Sequence, residues 1–137
     1  MRPSGALTIS DGIDIDWEYP VGGGAYYKSC SITTQDHKLP ERPYERDALV
    51  DLLRHVRDLD PEAHISIAVP ARTADRELSF PKDTIKKMDP CLDNWNLMTY
   101  DMMNRRDLTT AHHAGSAVIK DVVDYYSMDG VVDKKKM

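Results

Sequence analysis

Cysteine is scarce in this 137-residue chain, which has only Cys30 and Cys91. Two cysteines so far apart exclude a zinc ribbon and a Cys-x-x-Cys redox pair, and they leave a disulfide between them open. A basic excess is also missing. Eighteen Lys and Arg stand against 23 Asp and Glu, giving a formal charge of -5, the opposite of what a nucleic-acid surface requires. The only basic run, Lys134–Lys136, reads as a solvated tail. Apolar runs fall far short of the roughly 20 residues of a membrane-spanning helix. The opening Met1-Arg2-Pro3-Ser4-Gly5 does not lead into the apolar core of a secretory signal. As written, the chain reads as soluble, with neither a membrane partner nor an export address. Gly22-Gly23-Gly24 is not followed by the Lys-Ser/Thr of a phosphate loop. No internal repeat or low-complexity tract interrupts the sequence.

What remains is an ordinary globular composition, 41% hydrophobic and 30% charged, sized for one domain over residues 1–137. Residues 12–17 alternate strictly between apolar and acidic, the period of a strand, and Pro20 is expected to end it. Residues 21–43 form a long loop in which Tyr26 and Tyr27 read as surface tyrosines ahead of sugar-stacking groups. A helix is predicted over 44–59, where Ala48, Leu49, Leu52, Leu53, Val56 and Leu59 recur at helical spacing. A buried strand follows at 65–70, then a short helix at 82–88 and a strand at 95–100. A last helix spans 116–128, with Val118, Ile119, Val122, Val123 and Tyr126 on one side and Gly130 as its stop. Strands alternating with helices predict an α/β fold with parallel strands, as a barrel or an open doubly wound sheet.

The first strand places Asp14, Asp16 and Glu18 on one face and Ile13, Ile15 and Trp17 on the other. Same-face neighbours are about 6.6 Å apart along a strand, so the carboxylates repel one another and folding gains nothing from the row. A buried parallel strand would carry Val or Ile there. Such a row suits chemistry instead. Crowded like charges hold a proton on one carboxyl, and a proton-bearing Glu at the C-terminal end of a parallel strand is placed as a general acid. A divalent-cation site is the alternative use of three carboxylates.

Residues 11–20, Asp-Gly-Ile-Asp-Ile-Asp-Trp-Glu-Tyr-Pro, resemble the Asp-x-x-Asp-x-Asp-x-Glu signature of family 18 glycoside hydrolases, with all four acidic positions filled. In the same order, residues 65–71 resemble that family's next strand and Met98-Thr-Tyr-Asp101 the one after. Met102-Met-Asn-Arg-Arg-Asp107 with His112-His113 is similar to fungal members. The resemblance implies a (β/α)8 TIM barrel of which the fourth to sixth strand–helix units are present. It also implies cleavage of chitin and chitooligosaccharides by a retaining mechanism in which the substrate's acetamide is the nucleophile, without metal or organic cofactor. By the same resemblance Glu18 is the acid and later the base, Asp16 holds the acetamide nitrogen, and Asp14 shares its proton. Tyr100 donates to the acetamide oxygen, Asp101 and Tyr19 contact sugar, and Met98 packs beneath the site. Asp11 and Trp17 are structural members of the motif. His112 and His113 read as loop histidines ahead of substrate contacts.

A whole barrel has eight strands in about 250 residues. The family's Ser-x-Gly-Gly segment and the tryptophan of its eighth strand have no counterpart here, and Leu7-Thr-Ile-Ser10 does not match the family's usual approach to the motif. Two expectations follow. The chain is a fragment of a secreted chitinase, weakly active or inactive by itself, or it is a truncated product that has lost catalysis and at most binds chitin or a protein partner. Open sheet edges imply self-association, and helices on one face only would leave the acid row open to water.

Overall fold

The computed structural model describes residues 11–21, 42–103 and 108–137. Strands β1 (Gly12–Ile15), β2 (His64–Pro70) and β3 (Asn94–Met98) pair in parallel, in that order. The helices are α1 (Tyr44–Leu59), α2 (Thr73–Ser79), α3 (Lys82–Met88) and α4 (Ser116–Ser127), with 3-10 turns at Asp89–Cys91, Met128–Gly130 and Lys134–Lys136. α1 and α3 match the expected ranges. α2 was not anticipated, because Thr73-Ala-Asp-Arg-Glu-Leu-Ser79 is too short and polar to show a helical apolar stripe.

The central strand explains the layering. Ile65, Ile67 and Val69 alternate on one face and are fully buried, in a core with Leu49, Val50, Leu53, Phe80, Ile85, Met88, Trp95, Val122 and Tyr126. Each fully buried aliphatic side chain stabilises by about 1.5–3 kcal/mol. The pairing levels Ile15 with Ile67 and Trp95, and Val69 with Leu97. On the opposite face Asp14 is level with Ser66, Ala68 with Asn96, and Pro70 with Met98. One face is thus core; the other, the polar face by virtue of Asp14, Ser66 and Asn96, also carries Ala68, Pro70 and Met98.

The apolar stripe of α1 is narrower than its sequence suggested. Leu49 and Leu53 are buried and Val56 partly so, but Ala48, Leu52 and Leu59 are exposed. Those three belong to a second stripe about 100° further round the helix, and α1 presents only the first to α3 and the Asp89–Cys91 turn.

Arg57 ties the bottom of the sheet together. Its guanidinium donates to the carbonyls of Pro61 (3.0 Å), Ala63 (2.6 Å) and Cys91 (2.9 Å) and to Asp93 Oδ2 (2.7 Å). The same Asp93 oxygen accepts the Ile65 N–H at 2.8 Å. Burial works to raise the Asp93 pKa, but the Ile65 N–H and the Arg57 charge outweigh it and hold it below the ordinary 3.8. Cys91 is buried, whereas Cys30, Tyr26 and Tyr27 lie outside the described residues.

At the edge of the sheet, Gly12 lies against the backbone of His64, and a Cβ there would overlap the His64 carbonyl oxygen. Only glycine allows β1 to approach β2 this closely. Gly12→Ala should therefore destabilise by about 1–3 kcal/mol through overpacking, read by urea denaturation. A second prediction concerns pH. A carboxylate whose folded pKa is depressed contributes stability that is present above its unfolded value and lost as pH falls through the folded one. Asp93→Asn should lower the unfolding midpoint at pH 7, and the gap from the parent protein should close as the pH is taken below 3.8.

Candidate active site

β1 stops at Ile15, short of Glu18 and of the Pro20 expected to end it, and the ladder with β2 stops with it at Ile67. Downstream anchors draw the chain off the sheet. Ser79 Oγ donates to the Pro20 carbonyl at 2.9 Å, and the Val21 N–H donates to Glu45 Oε2 at 2.6 Å. Asp14 is therefore the one carboxylate of the row on the strand itself. Asp16, Trp17 and Glu18 follow it in a connecting segment, all exposed, so the expected single-faced ladder of three acids is corrected to one strand residue and two loop residues.

Asp14 is held from two strands. Ser66 Oγ of β2 donates to Asp14 Oδ1 at 2.5 Å, and Asn96 Nδ2 of β3 donates to the same oxygen at 3.0 Å. Neither partner was singled out from sequence. The available signal was a polar side chain at alternate positions of otherwise apolar strands, where burial without a hydrogen bond is costly.

Tyr19 is half-buried, and its phenol is pushed well above the ordinary value of 10.0. Burial is the largest cause, followed by the charge of Glu18, a hydrogen bond with Glu18, and smaller contributions from Asp75 and Tyr100. The phenol stays protonated, and Glu18, Tyr19 and Tyr100 belong to one electrostatic neighbourhood. Asp75, in the first turn of α2, joins it without having been foreseen.

β3 ends at Met98, before the predicted Tyr100, so Tyr100 stands beyond the strand, 53% exposed. Met98 is partly buried, on the same face of the sheet as Asp14. Asp101 is exposed, with φ at 51°. Its N–H donates to His113 Nδ1 at 3.4 Å, and the Met102 N–H donates to the His113 carbonyl at 2.9 Å. His113 thus closes the loop behind Asp101, and residues 104–107 lie outside the described residues. Asp11 is exposed, and its carbonyl accepts the His64 N–H at 3.0 Å, a structural contact.

An open depression of about 710 Å³ gathers Asp14, Asp16, Asn96, Met98 and Tyr100 on the polar face. It continues around the outer edge of β3 to Trp95, Ile119 and Val123. Glu18, Tyr19 and Asp101 stand outside its walls. For the cation alternative, among the described residues no three His, Cys, Asp or Glu side chains converge as a metal ion would need.

The chain matches the family model described as Glycosyl hydrolases family 18 over residues 2–137. Among solved structures it is similar to the chitinase ChiW of a Paenibacillus species, a multi-modular cell-surface enzyme, at 27% identity and a TM-score of 0.63, covering 92% of this chain and 15% of that one. The chitinase domain of the spore coat protein CotE from Clostridium difficile is 26% identical, with a TM-score of 0.55 over 88% of this chain and 35% of that one. Catalytic domain 2 of the Ostrinia furnacalis Group II chitinase, as a mutant in complex with penta-N-acetylchitooctaose, superposes at a TM-score of 0.65 with 22% identity, over 92% of this chain and 32% of that one. This chain thus spans 15% to 35% of the length of these neighbours. The parallel sheet with its helices is a partial TIM barrel.

Hydrogen bonds to a charged group contribute about 1.5–3 kcal/mol, less where water reaches the pair. Ser66→Ala should therefore cost about 1 kcal/mol of unfolding free energy, with the amide signal of Asp14 moving in a heteronuclear NMR spectrum. An unmoved Asp14 signal would mean that Asn96 alone holds the carboxylate.

Proposed function

Because this chain belongs to family 18 of the glycosyl hydrolases, we propose that it carries the acid-bearing part of an active site that hydrolyses β-1,4-linked N-acetylglucosamine polymers. The observation that supports this reading best is the placement of Asp14, Asp16, Glu18, Tyr19 and Tyr100 beyond or at the C-terminal ends of β1 and β3, two strands of one parallel sheet, where barrel enzymes hold their chemistry. Glu18 protonates the leaving glycosidic oxygen and later takes a proton from water. Asp16 accepts from the acetamide N–H and stabilises the positive charge that develops on the sugar-derived ring. Asp14 shares a proton with Asp16. The Tyr100 hydroxyl donates to the acetamide oxygen. A nucleophile already tethered within the substrate avoids the entropy cost of bringing in a second reactant.

Substrate contacts follow the same faces. Asp101 and Tyr19 meet polar edges of the sugar, and Met98 lies beneath it. Trp17, 37% exposed, offers an apolar ring to a pyranose face in addition to its place in the motif. Chitin and chitooligosaccharides are the substrates proposed, and an extracellular site of action goes with that substrate.

Binding without turnover is the second reading, favoured by the exposure of Asp14, Asp16 and Glu18. Carboxylates in open water interact more weakly with a developing charge than in a water-excluded cleft.

Glu18→Gln separates the two readings. A catalytic Glu18 predicts a loss of chitooligosaccharide turnover of about a thousandfold with binding retained, measured by reducing-end release and by calorimetry on the purified protein. Binding by the parent protein with no turnover to lose would instead establish the second reading.

A further inference from the structure

The segment 16–19, which carries Glu18, has two fixed ends. Upstream is the β1 ladder, which stops at Ile15. Downstream are Pro20 and Val21, buried and gripped by side chains from two helices. Glu45, in the first turn of α1, is only 7% exposed. Its Oε2 accepts the Val21 N–H at 2.6 Å, while Oε1 pairs with Arg42 Nε at 2.9 Å. Val21 and Arg42 also form an antiparallel bridge. Ser79, at the end of α2, holds the Pro20 carbonyl. The neighbouring Arg46 grips the Leu78 carbonyl through Nε (2.9 Å) and Nη2 (2.5 Å), so the first turn of α1 places α2 as well as Val21.

Val21 adopts a φ of 77°, a left-handed backbone that a β-branched residue seldom takes. Such strain persists where surrounding contacts over-determine it. The contacts here are the Glu45 carboxylate and the Val21–Arg42 bridge. We infer that Glu45 is a positioning residue for Glu18: by fixing Val21, with Ser79 fixing Pro20, it sets where the acid's backbone leaves the sheet. The inference rests on the reading of Glu18 as the acid, but its geometric content can be measured separately.

The experiment compares Glu45→Ala, Glu45→Gln and Ser79→Ala in the full chain by NMR and by chitooligosaccharide turnover. In Glu45→Ala the Glu18 and Tyr19 amide signals should move and Val21 amide exchange should rise about tenfold or more, with Ile65, Ile67 and Val69 still protected. Glu45→Gln should restore both, because an amide oxygen still accepts the Val21 N–H. In turnover, the alanine variant should lose about tenfold or more in kcat with KM little changed, as misplacement of a reacting group does, and glutamine should rescue it. Unmoved Glu18 signals in folded Glu45→Ala, or a glutamine variant no better than alanine, would overturn the inference. If the parent protein does not turn over, the reading of Glu18 as an acid fails alone and the NMR comparison decides the positioning role. If Glu45→Ala does not fold, Ser79→Ala, which deletes one hydroxyl, decides it by the same signals.

Discussion

A central strand whose two faces carry different side chains has only one workable register, because a slip of a single residue would exchange the two. β2 is such a strand. Ile65, Ile67 and Val69 bind it to the helical layer, and Ser66 is delivered to the other side. Everything at the site follows from that register. It levels Asp14 with Ser66 and brings Asn96 within reach, so the first carboxylate of the row is held by hydrogen bonds from β2 and, across it, from β3. The register is secured at the foot of the sheet by Asp93, which joins β2 to the Arg57 guanidinium.

Beyond β1, control passes from strand ladders to side chains. Asp16, Trp17 and Glu18 stand in a short span between the end of β1 and the anchored pair Pro20–Val21. The first turn of α1 supplies Glu45 to one side of that anchor and Arg46 to the end of α2, whose Ser79 completes it. Helix packing and acid placement are thereby coupled. A shift of α1 along the core would be transmitted to the segment carrying Glu18, since interiors packed at crystal-like density transmit strain.

The fold and the family were both legible in the residues, for different reasons. The apolar runs at 65–70 and 95–100 and the amphipathic 44–59 stretch carry patterns that burial enforces, and the alternation at 12–17 carries the period of a strand although Ile13 and Trp17 stay exposed. The acid signature within residues 11–20 carries the family, and the match over residues 2–137 places the chain there. Element ends were less legible. β1 and β3 both stop earlier than expected, because a strand ends where its partner ends or where the chain is pulled away, and neither is local information. α2 escaped notice for lack of a stripe. On α1, the stripe of Ala48, Leu52 and Leu59 was indistinguishable from the buried one, since both repeat at helical spacing.

The sequence by itself therefore determined the kind of elements, their parallel order and the identity of the acidic groups, because these depend on period, turn chemistry and side-chain type. Only the tertiary structure decided which apolar stripe is buried, which donors hold Asp14, and that Glu45 and Ser79 grip the residues following Glu18. The physical reason is separation along the chain. Ser66 lies 52 residues from Asp14 and Ser79 lies 59 from Pro20, so no local pattern marks them as partners until the sheet and helices bring them within hydrogen-bonding distance.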